Sequence, residues 1–137
     1  MEKEWMEKSF DGCELFVSKT LSENELTDGV CSVEAVRIDY QNDPLNRKSF
    51  TAGLGQLLAK GVSWLKEEAE TFEEAILLLH GENDALVSYK DSLDFFNTIS
   101  SKDKQVKIYG DLFHEIFNEY AKDEVIANAI SWIKNRV

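Results

Sequence analysis

The sequence predicts an α/β fold, a small and mainly parallel sheet flanked by helices. Three observations carry that prediction. Two short strand-type runs, Ile76–Leu79 and Gln105–Tyr109, each end in turn residues. Between and after them lie segments with apolar residues at helical spacing. The connections are short, so strand, helix, strand, helix reads as a βαβα unit with parallel strands and a right-handed crossover.

In chain order, Ser9-Phe10-Asp11-Gly12-Cys13-Glu14-Leu15-Phe16-Val17 reads as a hairpin, because Asp-Gly supplies two positions that tolerate positive φ. Thr20 to Asp28 is polar, turn-rich and without a period. Val33 to Tyr40 favours a short helix, which Asn42-Asp43-Pro44-Leu45 breaks, since proline disfavours helix at the residue before it. Leu54, Leu57, Leu58, Val62 and Leu65 predict an amphipathic helix over about 49–70. Gly53, Gly55 and Gly61 weaken it, so tertiary packing must hold it. Five acids between Glu67 and Glu74 mark a solvated surface rather than a metal site.

Ile76–Leu79 is an unbroken apolar run, the pattern of a strand buried on both faces. Ser88-x-x-Asp91 is a capping box that opens a helix with Tyr89, Leu93, Phe96 and Ile99 on its apolar face. Gln105–Tyr109 alternates, which predicts a half-exposed strand near an edge. The last helix is expected over 121–135. Its buried stripe is Val125, Ile126, Ala129, Ile130 and Ile133, with acids in the first turn and Lys134 and Arg136 in the last.

Length predicts a single domain over 1–137. Within it, 1–20 is a hairpin-like segment, 21–32 a linker and 33–137 the α/β part. A net charge of −11 opposes a phosphate backbone and an anionic membrane surface, so nucleic acid is excluded as a partner. The same charge favours solubility. No run reaches the apolar length of a transmembrane helix. Met1-Glu2-Lys3-Glu4 has no signal-peptide character, and Cys13 and Cys31 form no C-x-x-C pattern. The expectation is a cytoplasmic protein with reduced thiols.

The chemistry lies at the two strand ends. Asp84 follows the first strand in His80-Gly81-Glu82-Asn83-Asp84, and His114 follows the second in Tyr109-Gly110-Asp111-Leu112-Phe113-His114. Parallel strands bring both loops to one rim. An aspartate that accepts a bond from a histidine Nδ1 fixes the tautomer and leaves the other nitrogen to take a proton from a hydroxyl. Each residue also has a plainer reading: Asp84 as a turn former, His114 as a packed or capping histidine. His80, Glu82, Asp84 and His114 match no metal-ligand spacing, so no metal or cofactor is expected.

Several motifs resemble one family. They are Leu78-Leu79-His80-Gly81-Glu82-x-Asp84-x-x-Val87, Phe95-Phe96, Lys107-Ile108-Tyr109, His114-Glu115-Ile116-x-Asn118-Glu119 and Trp132-Ile133. Together they resemble the C-terminal part of the α/β-hydrolase family, in its monoacylglycerol lipase and lysophospholipase-like branch, the serine aminopeptidase S33-like hydrolases. Tyr40-x-Asn42-Asp43-Pro44-Leu45 resembles the chain leaving that family's cap, and Lys8-Ser9-Phe10-Asp11-Gly12-x-x-Leu15-Phe16 its first hairpin. The resemblance implies that Asp84 is the triad acid and His114 the triad base. The implied substrate is a small acyl ester or lysolipid.

Three departures accompany it: Ala75 replaces a proline, Asp111 follows a displaced Gly110, and Tyr120 stands where proline commonly follows Asn-Glu. The larger one is that no G-x-S-x-G and no oxyanion motif occurs in these 137 residues. The apparent join between the two resembling parts falls between Thr20 and Val33. Ser63 and Ser88 are the nearest serines to consider, yet neither sits on the strained strand-to-helix turn a nucleophile needs. The expected protein is a weak or inactive ester hydrolase. The alternative is a noncatalytic binding or assembly module, a homo-oligomer that covers exposed strand edges.

Overall fold

The computed structural model describes residues 21–23, 29–47 and 49–137. The expected hairpin at 9–17 and Cys13 lie outside them. The chain divides into two compact units, Met1–Glu25 with Arg47–Lys66, and Leu26–Asn46 with Glu67–Val137.

In the first unit, β1 (Leu21–Glu23) pairs antiparallel with β2 (Ser49–Thr51), Ser22 facing Phe50. β1 thus lies inside the stretch read as a linker. β2 runs directly into α2 (Ala52–Glu67). The helix expected from Ser49 therefore begins three residues later, because Ser-Phe-Thr suits a strand pair. Thr51 Oγ1 accepts a bond from Leu54 N (3.2 Å), satisfying one of the first-turn amides. Leu54, Leu58, Val62 and Leu65 of the predicted stripe are exposed, as is Trp64.

The second unit begins with buried Val30 and Cys31 and continues into α1 (Glu34–Asn42). A 3₁₀ turn (Ala69–Thr71) leads to β3 (Ile76–Gly81), α3 (Tyr89–Thr98), β4 (Lys104–Tyr109) and α4 (Lys122–Lys134). The five acids of 67–74 are exposed, as expected. β3 and β4 are parallel, from Ile76 opposite Lys104 to Gly81 opposite Tyr109.

α3 packs against both strands. Ser88 caps it, its Oγ accepting from Lys90 N (3.3 Å), so the bond goes to the second helical residue rather than to Asp91. At the other end, Lys104 Nζ donates to Phe96 O (2.7 Å) and Ile99 O (2.9 Å), a cation on the helix's free carbonyls.

The core of this unit is Tyr109, Leu112, Ile116 and Val125, with Leu79 and Ala121 against it. Two burial expectations need correction. β3 is half-buried along Ile76–His80 rather than enclosed on both faces. Leu77 and Leu79 line an open cavity of about 560 Å³ between the sheet and α4, with Gln105, Lys107 and Trp132 on its other walls. Along α4 only Val125 of the predicted stripe is buried, while Ile126, Ile130 and Ile133 are exposed. Arg136 lies past the helix rather than in its last turn. Its guanidinium stacks on the Trp132 ring and binds both Asp103 carboxylate oxygens.

Candidate active site

Close backbone approach at the strand ends builds the site. Gly81 closes β3. A Cβ there would lie 2.2 Å from Phe113 O and 2.3 Å from Leu112 O. Only glycine lets the chain after β4 cross the end of β3 at that distance. Glu82 N donates to Tyr109 O (2.8 Å) and Asn83 N to Leu112 O (2.9 Å), tying the two loops together. Between β4 and His114 the chain turns through Asp111 at φ 63°, a left-handed conformation that a short polar side chain tolerates. The displaced Gly110 therefore does not keep His114 from the rim.

Asp84 and His114 meet. His114 Nδ1 donates to Asp84 Oδ2 at 2.8 Å. The Asp84 side chain is 3% exposed and the His114 ring 42% exposed. Among the described residues His114 Nε2 has no partner. Asp84 Oδ1 accepts from Leu86 N (2.8 Å) and Val87 N (2.9 Å). The turn reading and the acid–base geometry thus describe one carboxylate, Oδ1 closing the turn and Oδ2 facing the imidazole. Burial pushes the Asp84 carboxyl up. The bonds from Val87 N, His114 and Leu86 N outweigh it and hold the group below the usual aspartate range.

His80 joins the same carboxylate, with Nε2 3.0 Å from Asp84 Oδ2. In the sequence it stood only within the strand-end motif and among residues that match no metal-ligand spacing. Among the described residues no three His, Cys, Asp or Glu side chains are grouped to hold a metal.

Glu119 is a residue that sequence reasoning missed as a structural anchor. It is 1% exposed. Its carboxylate accepts from Ser32 N (2.8 Å), Ser32 Oγ and Phe113 N (3.1 Å). Beside it Glu115 N donates to Val30 O (2.7 Å). The His114 loop is thereby clamped to Val30–Ser32. Burial raises the Glu119 carboxyl, and the bonds from Ser32 and Phe113 outweigh that and lower it overall. The only sequence signal was an acid inside the His114–Glu119 motif, and nothing in spacing marks it as buried.

The two serines considered do not complete the pair. Ser63 lies inside α2, exposed, in the first unit. Ser88 is occupied as the cap of α3.

Comparison with known proteins identifies the family and the fold. The serine aminopeptidase S33 hydrolase family matches residues 3–121. The chain is 30% identical over 104 residues to an uncharacterized abhydrolase domain-containing protein of Dictyostelium discoideum, 75% of this chain and 11% of that one. It is 29% identical over 112 residues to a monoacylglycerol lipase of Mycolicibacterium smegmatis, 81% of this chain and 40% of the lipase.

Among solved structures, the monoacylglycerol lipase of Paleococcus ferrophilus superposes with TM-score 0.79 at 23% identity, covering 82% of this chain and 45% of the lipase. A soluble variant of Saccharomyces cerevisiae monoglyceride lipase, in complex with a substrate analog, gives 0.78 at 21%, covering 89% and 46%. The chain thus spans less than half the length of these relatives. With the family match extending over most of its residues, and the fold shared with those lipases, the chain belongs to the serine aminopeptidase S33 hydrolase family and carries part of the α/β-hydrolase fold.

Proposed function

We propose that this chain carries the acid and base of a carboxylic ester hydrolase of the monoacylglycerol lipase or lysophospholipase kind, and that alone it turns over esters weakly or not at all. The observation behind this is the 2.8 Å bond from a half-exposed imidazole to a buried, ionised carboxylate. Asp84 holds His114 with its proton on Nδ1 and steadies the imidazolium. His114 Nε2 takes the proton from an attacking hydroxyl. The chemistry calls for no cofactor. Acyl glycerols and lysolipids are the substrate class, supported by the named lipases among the relatives. The 137 residues supply no G-x-S-x-G serine, and without a nucleophile a triad enzyme keeps at most about 10³–10⁴-fold over water.

A fluorophosphonate probe with mass-spectrometric mapping tests this, together with p-nitrophenyl ester hydrolysis. No labelled serine and no His114-dependent turnover is the expected result. A labelled serine with turnover lost in His114→Ala replaces the inactive reading with a working esterase.

A noncatalytic assembly module is the second reading, favoured by exposed Ile126, Ile130 and Ile133 along α4. Light scattering that finds a clean monomer at high concentration removes it. No helix among the described residues is long and apolar enough to cross a membrane. We assign the protein to the cytoplasm, supported by the free, buried Cys31 thiol; cell fractionation tests that.

A further inference from the structure

The Asp84 carboxylate accepts four hydrogen bonds, and one comes from a residue the acid–base pair does not use. His80 stands one position before the end of β3. Its Nε2 is 3.0 Å from Asp84 Oδ2 and 3.0 Å from Val87 O, and its Nδ1 is 2.8 Å from Ser92 Oγ on α3. The side chain is 12% exposed. Both neighbours of Nε2 are acceptors, a carboxylate and a backbone carbonyl, so Nε2 must carry a proton. The Ser92 hydroxyl is free to donate to Nδ1. With the Ser92 hydroxyl donating to Nδ1, both ring nitrogens are paired, and the two acceptors at Nε2 are what fix its proton.

We propose that His80 is a positioning residue: its Nε2–H, directed at Asp84 Oδ2 and Val87 O, holds Asp84 Oδ2 toward His114 and so keeps the His114 proton on Nδ1. The proposal rests on the acid–base reading above. Two amides anchor Oδ1, and on Oδ2 His80 is the one donor beside His114 that the described residues supply. Without His80, water reaches that oxygen and competes for it. His114, more weakly held, then drifts toward the Nε2–H tautomer that a free imidazole side chain prefers. That tautomer removes the lone pair a base needs.

The test uses the full chain, labelled with ¹⁵N in histidine, in alkaline buffer. Two-bond ¹H–¹⁵N spectra report which ring nitrogen bears the proton. The expected wild-type result is His80 protonated on Nε2 and His114 on Nδ1. In His80→Phe, His114 moves from predominantly Nδ1–H to predominantly Nε2–H. Where phenylalanine prevents folding, His80→Asn gives the same reading, because it is too short to reach Oδ2. His80→Gln, whose amide reaches that position, restores the wild-type pattern.

The two ideas fail differently. A wild-type His114 protonated on Nε2 overturns the acid–base reading. A wild-type His114 on Nδ1 that stays there in a folded His80→Phe or His80→Asn overturns only the positioning proposal. So does a wild-type His80 protonated on Nδ1, whatever the variants do.

Discussion

Glu119 holds Ser32 by both its amide and its hydroxyl, across 87 residues of chain, and the same carboxylate takes the amide of Phe113 next to His114. Among the described residues this buried acid has no cationic partner and is sustained by the amide and hydroxyl of Ser32 and the amide of Phe113. Removing it strands them. Leaving a buried donor unpaired costs about 1–3 kcal/mol, so Glu119→Ala should destabilise the protein by about 2–4 kcal/mol. Urea unfolding measures it. A change within about 0.5 kcal/mol would mean that the clamp contributes little.

Acid should loosen the same region. Asp84 and Glu119 both have pKa values lowered in the folded state. In that case the unfolded chain binds more protons in the window between the two values, so stability rises with pH there. Their contribution is complete above the ordinary carboxylate range of about 4 and is lost as pH falls through the folded values. The urea midpoint should drop steeply below that range. Glu119→Gln, which cannot titrate, should give a shallower slope. An unchanged slope would exclude Glu119 as a contributor.

Gly81 admits no side chain. The atoms a Cβ would meet are backbone carbonyls, which cannot swing aside. Gly81→Ala should lower stability by at least about 1–3 kcal/mol, the usual range for overpacking. It should also displace the His114 ring from Asp84. Chemical shifts of His114 read the second effect, and their invariance would show that the loop accommodates the methyl.

Within α4, two substitutions separate the observed burial from the pattern read in the sequence. Val125→Ala removes a fully buried side chain and should cost about 1.5–2 kcal/mol. Ile133→Ala, at 53% exposure, should change monomer stability by less than about 0.5 kcal/mol. A concentration-dependent loss in Ile133→Ala alone would instead support the assembly reading.

Much of the site was legible because its logic is local. An apolar run ending in His80-Gly81 fixes where β3 stops, and Asp84 follows within one turn. The alternation of β4 places His114 likewise, and parallel pairing does the rest. What was not legible depends on partners distant in sequence. β1 is the tripeptide Leu21-Ser22-Glu23, with no strand pattern of its own, and its strand character comes from pairing with Ser49–Thr51. Most of the apolar stripes of α2 and α4 obey helical spacing yet stay exposed, Val125 being the buried exception, since periodicity reports a face and not what covers it. Glu119 is buried by contacts with Ser32 and Phe113 that no spacing encodes. His80 reaches Asp84 only through the turn that also engages Val87.

The close pass of the chain at Gly81 has one more effect. Ile-Leu-Leu-Leu is nearly the same side chain repeated, and such a strand is poor at choosing its own alignment with a neighbour. A slip of two residues along β4 would keep every backbone bond type and the same faces, yet carry Asp84 roughly 7 Å from His114. The carbonyls of Leu112 and Phe113 fit over β3 only where a side chain is missing. The bare backbone at Gly81 therefore works as a stop that sets the alignment, and the contact between Asp84 and His114 reports that the stop has engaged.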